Sequence, residues 1–386
     1  MALSKIDVSN MLDETLPVAQ GGTGVTSTPF PSNYSPNLNF RNIIINGDMT
    51  IAQRGTSQSS ITSDGYYTVD RFLTELGGSS VWTQSQASDA PSGQGFTYSL
   101  KMDCTTAQPS PASNDIVLVG QSIEGFMLQP IKQGTANAES TTLSFWHKHT
   151  KTGTNIVELL DADNSNAVSG SYTQSVSDTW EKATITFPAN TSGTYDNDKN
   201  RSLRIRFIMS AGSDYTSGTL ATTWQTSITD ANRYAGQVNN ADSTSNNFII
   251  TGVQYEVGTA ASDFEFLPHD VNLQRCLRYF GKIFSNVLNA QGVVTSFFTS
   301  SRAFFRLPHV VTMRTSPTVG TSGVTVLVAQ NSGTATTTTF ANTFPDETSS
   351  SVEITGSYNT TYSGHVDHSA GKVIVAFSQV SETDCV

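Results

Sequence analysis

Few residues in this sequence have both the type and the setting to do chemistry, and the aromatic ones lead. Trp82 lies in Ser-Val-Trp-Thr-Gln and Trp224 in Thr-Thr-Trp-Gln-Thr, while Tyr66 and Tyr67 are adjacent. An indole or phenol ring can lie against the apolar C–H face of a sugar while neighbouring amides and carboxylates bond its hydroxyls. Trp82, Trp224, Tyr66 and Tyr67 are therefore the candidate ligand-binding residues. Trp146, in Ser144-Phe-Trp-His147, and Trp180 are read as core or edge packing.

Metal chemistry has one compact candidate, His365-Val-Asp-His368. In a strand His365 and Asp367 would share a face, with His368 beside them. Gly364 and Gly371 flank the group, so an exposed hairpin loop is the favoured reading and no metal is expected. Glu158, Asp161 and Asp163 are close enough in sequence for a carboxylate pair. Asp161 and Asp163, however, sit in Asp-Ala-Asp-Asn-Ser-Asn, where Asp is the default turn residue. No Gly-x-Ser-x-Gly elbow is present, and Cys104, Cys276 and Cys385 lack a matching histidine context. Neither catalysis nor a cofactor is expected. Gln53-Arg54 and Asp70-Arg71 read as an ion pair and turn cap.

These residues need a scaffold, and composition says which kind. Only 14% of the 386 residues are charged, Gly reaches 29, and Ser, Thr, Asn and Gln supply the polarity. That mixture suits strands and tight turns. With 20 Phe, 12 Tyr and 4 Trp the chain can build real cores, which excludes general disorder. A net charge of -11 disfavours nucleic acid and anionic membranes, and no apolar run approaches the ~18 residues of a membrane span. The first residues lack the basic and apolar regions of a signal peptide, so assembly in a reducing cytoplasm is expected.

Along the chain, residues 1–38 read as an extended arm, with Gly21-Gly-Thr-Gly24 a linker rather than a phosphate loop. Residues 39–268 carry strand after strand, among them Leu143–Lys148, Ile156–Leu160 and Lys182–Phe187. Leu203-Arg-Ile-Arg-Phe-Ile208 alternates strictly, which predicts a half-buried strand with Arg204 and Arg206 outward. Leu273, Cys276, Leu277, Phe280 and Ile283 recur at helical spacing after Asp270, predicting a capped amphipathic linker helix over 269–284. Residues 285–386 return to β pattern and read as a second, C-terminal β-sandwich domain. No internal repeat suggests a solenoid shaft.

The segments that bracket the first sandwich carry a resemblance. Asn42-Ile-Ile-Ile-Asn-Gly-Asp-Met-Thr-Ile-Ala-Gln-Arg-Gly55 and Gly65-Tyr-Tyr-Thr-Val-Asp-Arg-Phe72 open it. Ile250-Thr-Gly-Val-Gln-Tyr-Glu-Val-Gly258, Phe264-Glu-Phe-Leu-Pro268 and Leu273-Gln-Arg-Cys-Leu-Arg-Tyr-Phe280 close it. This frame resembles the jelly-roll β-sandwich of bacteriophage tail-fibre and head-fibre proteins, a relative of carbohydrate-binding modules. Leu16-Pro-Val-Ala-Gln-Gly-Gly-Thr-Gly24 and the Met313-Arg-Thr-Ser-Pro-Thr318 stretch are similar to segments near the two ends of such fibres. The resemblance implies an all-β, non-enzymatic virion protein, homotrimeric, docked on other virion proteins through the N-terminal arm. It implies attachment to a host cell-surface glycan, with a head-fibre or capsid-decoration role as the alternative. Its structural calcium is not expected, because Thr251-Gly252 stands where an Asp is usual, leaving Asp48 and Glu256 as the remaining oxygen donors.

Overall fold

The computed structural model describes residues 40–282 without a break, then 295–299, 302–320, 327–330, 333–336, 339–345, 348–355, 365–367 and 376–378. The chain divides after Asn39 into two compact units, and the arm predicted over 1–38 lies outside the described residues, as does His368.

Two antiparallel sheets form a β-sandwich. The six-stranded sheet runs β1 (Ser57–Ile61), β3 (Val81–Ala87), β4 (Ser99–Thr106), β11 (Asn247–Val257), β6 (Thr141–His149), β9 (Glu181–Phe187). The five-stranded sheet runs β2 (Leu73–Leu76), β5 (Ile116–Glu124), β10 (Arg201–Ala211), β7 (Gly153–Asp161), β8 (Asn166–Gln174). The chain steps repeatedly from one sheet to the other, as in a jelly roll, so that the last strand, β11, enters between β4 and β6. Alternate residues meet in the middle: Leu100 and Met102, Phe145, Val157 and Leu159, Phe207, Phe248 and Ile250 are all buried in one cluster. Each such side chain contributes about 1.5–3 kcal/mol by leaving water.

The outer side of the five-stranded sheet is not solvent. Residues 212–246, with α1 (Ser213–Thr216), lie across it and bury Leu118, Ile156, Ile208 and Tyr234 as another cluster. The period-two reading of 203–208 is correct, but its consequence changes. Arg204 and Arg206 do point out of the sandwich, yet they are only 5% and 9% exposed. Arg204 pairs with Glu75, and Arg206 reaches Glu158 at 3.2 Å.

The bracketing segments close on each other. Asn42 Oδ1 accepts from Ile44 N and Tyr255 N, its Nδ2 donates to Val253 O, and Val253 N donates to Gly47 O. Asn46 bonds Ile51 in both directions and donates to Asp70 O. Gln121 on β5 does the same for Ile45. These amides satisfy backbone groups that no ladder reaches.

The linker helix is shorter than predicted. α2 spans His269–Leu277, its N-cap is Pro268 without a side-chain cap, and Asp270 sits inside the first turn. Leu273, Cys276 and Tyr279 pack on Ile45 and Ile51, while β12 begins already at Phe280 (Phe280–Lys282). The early stop places two rings under two guanidinium groups: Arg71 over Tyr279 at 3.4 Å and Arg54 over Phe280 at 3.8 Å.

Beyond α2 the described backbone is β. β13 (Thr295–Thr299), β14 (Arg302–Pro308), β19 (Ser349–Thr355) and β18 (Thr339–Pro345) make one antiparallel sheet. β12 joins β21 (Ala376–Ser378) and β15 (Thr318–Gly320), and β16 (Leu327–Gln330) lies between β17 (Gly333–Thr336) and β20 (His365–Asp367).

Candidate functional site

On β6, Phe145, His147 and His149 face the interior, so Trp146 and Lys148 emerge on the outer face of the six-stranded sheet. Register sets their neighbours. Trp146 lies between Thr251 of β11 and Lys182 of β9, and Lys148 lies beside Ile249, which has Lys101 of β4 on its other side. The middle of this face is covered. Thr251 Oγ1 donates to Tyr98 O and Ser99 Oγ to Asp89 O, which lays the β3–β4 connection over it. Glu256 and Gln254 are tied to Ser262 and Asp263 in the same way. The β6–β9 margin stays accessible, with Lys182, Thr184 and Thr186 exposed.

Four side chains converge at that margin. Asp89 accepts from Lys148 Nζ at 2.9 Å and from Trp180 Nε1 at 3.0 Å, and Lys148 also reaches Asp178 at 3.3 Å. The Asp89 and Asp178 side chains are 43% and 59% exposed, so both keep lone pairs toward solvent, whereas Lys148 is 16% exposed. Partial burial works against charge on Asp89, but hydrogen bonds from Lys148 and Trp180 outweigh it and hold its carboxyl below the ordinary range. The same opposition, won by Asp89 and Asp178, raises Lys148. The β8–β9 loop carrying Asp178 and Trp180 is fastened at both ends. Glu181 accepts from Ser175 N and Val176 N, and Asp178 N donates to His149 O. Two partly exposed indoles beside a fixed carboxylate–ammonium–carboxylate row can stack on a pyranose and bond its hydroxyls.

The residues singled out from sequence are placed elsewhere. Trp82 has no exposed surface, and its Nε1 donates to Ser80 Oγ inside the core, so no ligand can stack on it. Trp224 packs its ring against the core edge and donates to Pro188 O. Tyr66 lies under Arg54, 5.3 Å from ring centroid to guanidinium, and Tyr67 Oη donates to Ser63 O. The four do not form one platform. Conversely, Trp146 and Trp180, read as packing, are partly exposed, as Trp224 is, and stand with the Asp89–Lys148–Asp178 row. Strand alternation held the signal, since Phe145 inward forces Trp146 outward.

Asp70 is held by Gln53 N and, at 3.8 Å, by Arg54, while Arg71 turns away to Ser122 O, so these pairs brace the bracketing segments. Asp48 is engaged by Thr50 and Asn272, and Glu256 by Gln254, Ser262 and Arg41. Asp161 accepts from Asp163 N, Asn164 N and Gln133 Nε2, and Glu158 from Arg206, Arg233 and Tyr234. Neither acid faces a groove. The backbone of His365 and Asp367 belongs to β20, paired with β16. Among the described residues no group of His, Cys, Asp and Glu could hold a metal ion.

No family model matches the chain, and no curated protein matches it. Among solved structures, the enzymatically active domain of bacteriophage CBA120 tailspike protein 4 is similar at 15% identity and a TM-score of 0.31, over 56% of this chain. The alignment spans 21% of that tailspike chain. The family 11 carbohydrate-binding module of the Clostridium thermocellum cellulase Lic26A-Cel5E is similar at 12% identity and a TM-score of 0.28, over 53% of this chain and 100% of the module. A family 4 carbohydrate-binding module gives 9% identity and a TM-score of 0.28, over 55% of this chain and 97% of that one.

Proposed function

We propose that the chain is a non-enzymatic glycan-binding protein whose sandwich holds sugar at the β6–β9 margin. The observation that carries this reading is the convergence of Trp180 and Lys148 on Asp89, with Asp178 on Lys148 and Trp146 on the same face. Ring faces provide contact area and the charged row provides directional bonds, the combination a polyhydroxylated ligand requires. The fixed loop means little ordering cost on binding. The virion role is proposed on the resemblance of the bracketing segments, Leu16–Gly24 and Met313–Thr318 to phage fibres. In it the arm attaches to other virion proteins, a trimer presents three weak sites, and avidity multiplies them on a cell-surface polysaccharide. Capsid decoration is the alternative on the same resemblance, and labelled electron microscopy of particles separates it from a tail location.

Retention on a panel of immobilised neutral and acidic polysaccharides tests the site. Trp146→Ala and Trp180→Ala are each expected to weaken the retained glycan by about tenfold, the equivalent of one stacking contact, with circular dichroism unchanged. A double variant that binds as the parent does would refute the margin as the site. Release of reducing sugar, abolished by a carboxylate substitution, would replace binding with catalysis.

A further inference from the structure

Behind the margin, on the inner face of β6, lie two buried histidines that a binding site does not by itself require. His147 is 1% and His149 0% exposed, and their ring centroids are 5.3 Å apart. The ring of His149 stacks on Phe248 at 4.1 Å. Its Nδ1 receives the backbone N–H of Ile249 at 3.3 Å, and its Nε2 lies 3.0 Å from Tyr172 Oη. A backbone N–H can only donate, so Nδ1 holds the lone pair and Nε2 the proton, given to Tyr172. A second proton on Nδ1 would point at the Ile249 N–H and displace it from a central strand.

His147 Nδ1 is 2.8 Å from Gln174 Oε1. The amide orientation of Gln174 is fixed, because its Nε2 donates to Val176 O and Thr179 O, each at 2.8 Å, and its Oε1 also takes His149 N. One side chain therefore joins the His147 ring and the His149 backbone to the loop of residues 175–180. Ser177 Oγ on Thr150 O and Asp178 N on His149 O fasten the same loop to the end of β6.

Around the pair the one charge that favours an imidazolium is Glu181 of β9, which raises His147 but is outweighed by burial. β8 contributes Tyr172 and Gln174, and β11 contributes Phe248 and the Ile249 amide. Burial holds Tyr172 well above its ordinary range, so it stays a neutral hydroxyl. β9 contributes Glu181, whose oxygens already take Ser175 N, Val176 N and Gln174 Nε2. Lys148 of β6 leaves on the opposite face, and the Asp178 carboxylate is turned toward it. Burial is also the main cause holding both imidazoles below their usual range.

We propose that His147, His149 and Gln174 form an acid-sensitive latch on the β8–β9 loop, so that acidification below neutrality frees the segment bearing Asp178 and Trp180 while the sandwich stays folded. The latch regulates the margin described above and rests on that reading for its functional meaning, but its own existence is measured without any ligand. Acid releases it because proton uptake by either ring is favourable only once the loop has opened and water reaches the pair.

Hydrogen exchange of the full-length protein at pH 7.5 and 5.5, corrected for intrinsic rates, tests the latch. Opening of residues 174–181 is expected to rise about tenfold, the response of one group titrating over one pH unit, with β10 unchanged. In the His147→Asn, His149→Asn double variant, which keeps an amide at each site and titrates at neither, the loop is expected to exchange equally at both pH values. Equal opening of the parent at both pH values, or a double variant with the parent's pH response, would overturn the latch. Should that variant not fold, imidazole resonances of the parent decide. Rings that titrate together with the Val176–Trp180 amides support it, and rings that titrate as free histidines with those amides still overturn it. Failure of glycan binding with an intact exchange response would remove the site and leave the latch.

Discussion

Glu158 shows how a single charge is held where water does not reach. It has no exposed surface, and Arg206, Arg233 and Tyr234 all donate to it. Burial pushes its carboxyl up most strongly, but the two guanidinium groups together more than reverse this, and the result lies below the usual range. A depressed acid stabilises the fold fully above its unfolded value of about 4.3 and loses that contribution as pH falls through the folded value. Glu158→Gln is therefore expected to cost about 3 kcal/mol in urea unfolding at pH 7, because it takes the central carboxylate from Arg206 and Arg233 and leaves them Glu75 and Asp230. The gap between parent and variant should close as pH falls below about 4. At this scale sequence reasoning was weakest for the tryptophans. Polar neighbours made Trp82 look exposed, yet in a strand the residues beside a buried ring face away from it. Val81 and Thr83 do so, while Gln84, also without exposed surface, bonds Thr68 and Thr74. A buried glutamine inside β3 cannot be told from a solvated one by type alone.

At the scale of elements, the bracketing segments act as one clasp assembled from distant parts. Gly47 is its tightest point, because a Cβ there would stand 2.0 Å from Val253 O. Gly47→Ala is expected to destabilise by about 3 kcal/mol, read as a lower urea midpoint, since the obstructing atom is backbone and the Gly47–Val253 hydrogen bond must open to admit the methyl group. Replacing Gly55, where a Cβ would meet nothing within 4 Å, controls for backbone strain, because its φ of +145° disfavours other residues. The strands were legible from alternation, and the helix from its apolar spacing. The end of the helix was not, because Tyr279 and Phe280 fit a helical face as well as they fit the rings beneath Arg71 and Arg54. The burial of Arg204 and Arg206 was hidden for a similar reason: residues 212–246, polar and turn-rich, look like a surface connection and yet cover a sheet face.

For the whole sandwich, connectivity governs. β11 is the last strand of the sandwich to be made and stands between β4 and β6, paired with both. Chains ending at residue 246 are expected to stay sensitive to limited proteolysis, and chains continued through residue 282 to acquire resistance in one cooperative step. A resistant shorter chain would mean that the other strands suffice. Sequence order could not reveal this, since a strand's neighbours depend on topology and β11 reads locally like any other.

That arrangement has a cost in time during synthesis. β4 ends at Thr106 and β11 begins at Asn247, 141 positions later by subtraction. At roughly 5–20 residues per second the ribosome needs on the order of ten seconds to cover that gap. β4 throughout that gap, and β6 from its own synthesis onward, have no partner on the edge that β11 will fill, and such edges invite pairing between neighbouring nascent chains. Slower translation between the two strands lengthens that exposure, so codon usage and growth temperature should influence the yield of soluble protein even where the finished fold is unchanged.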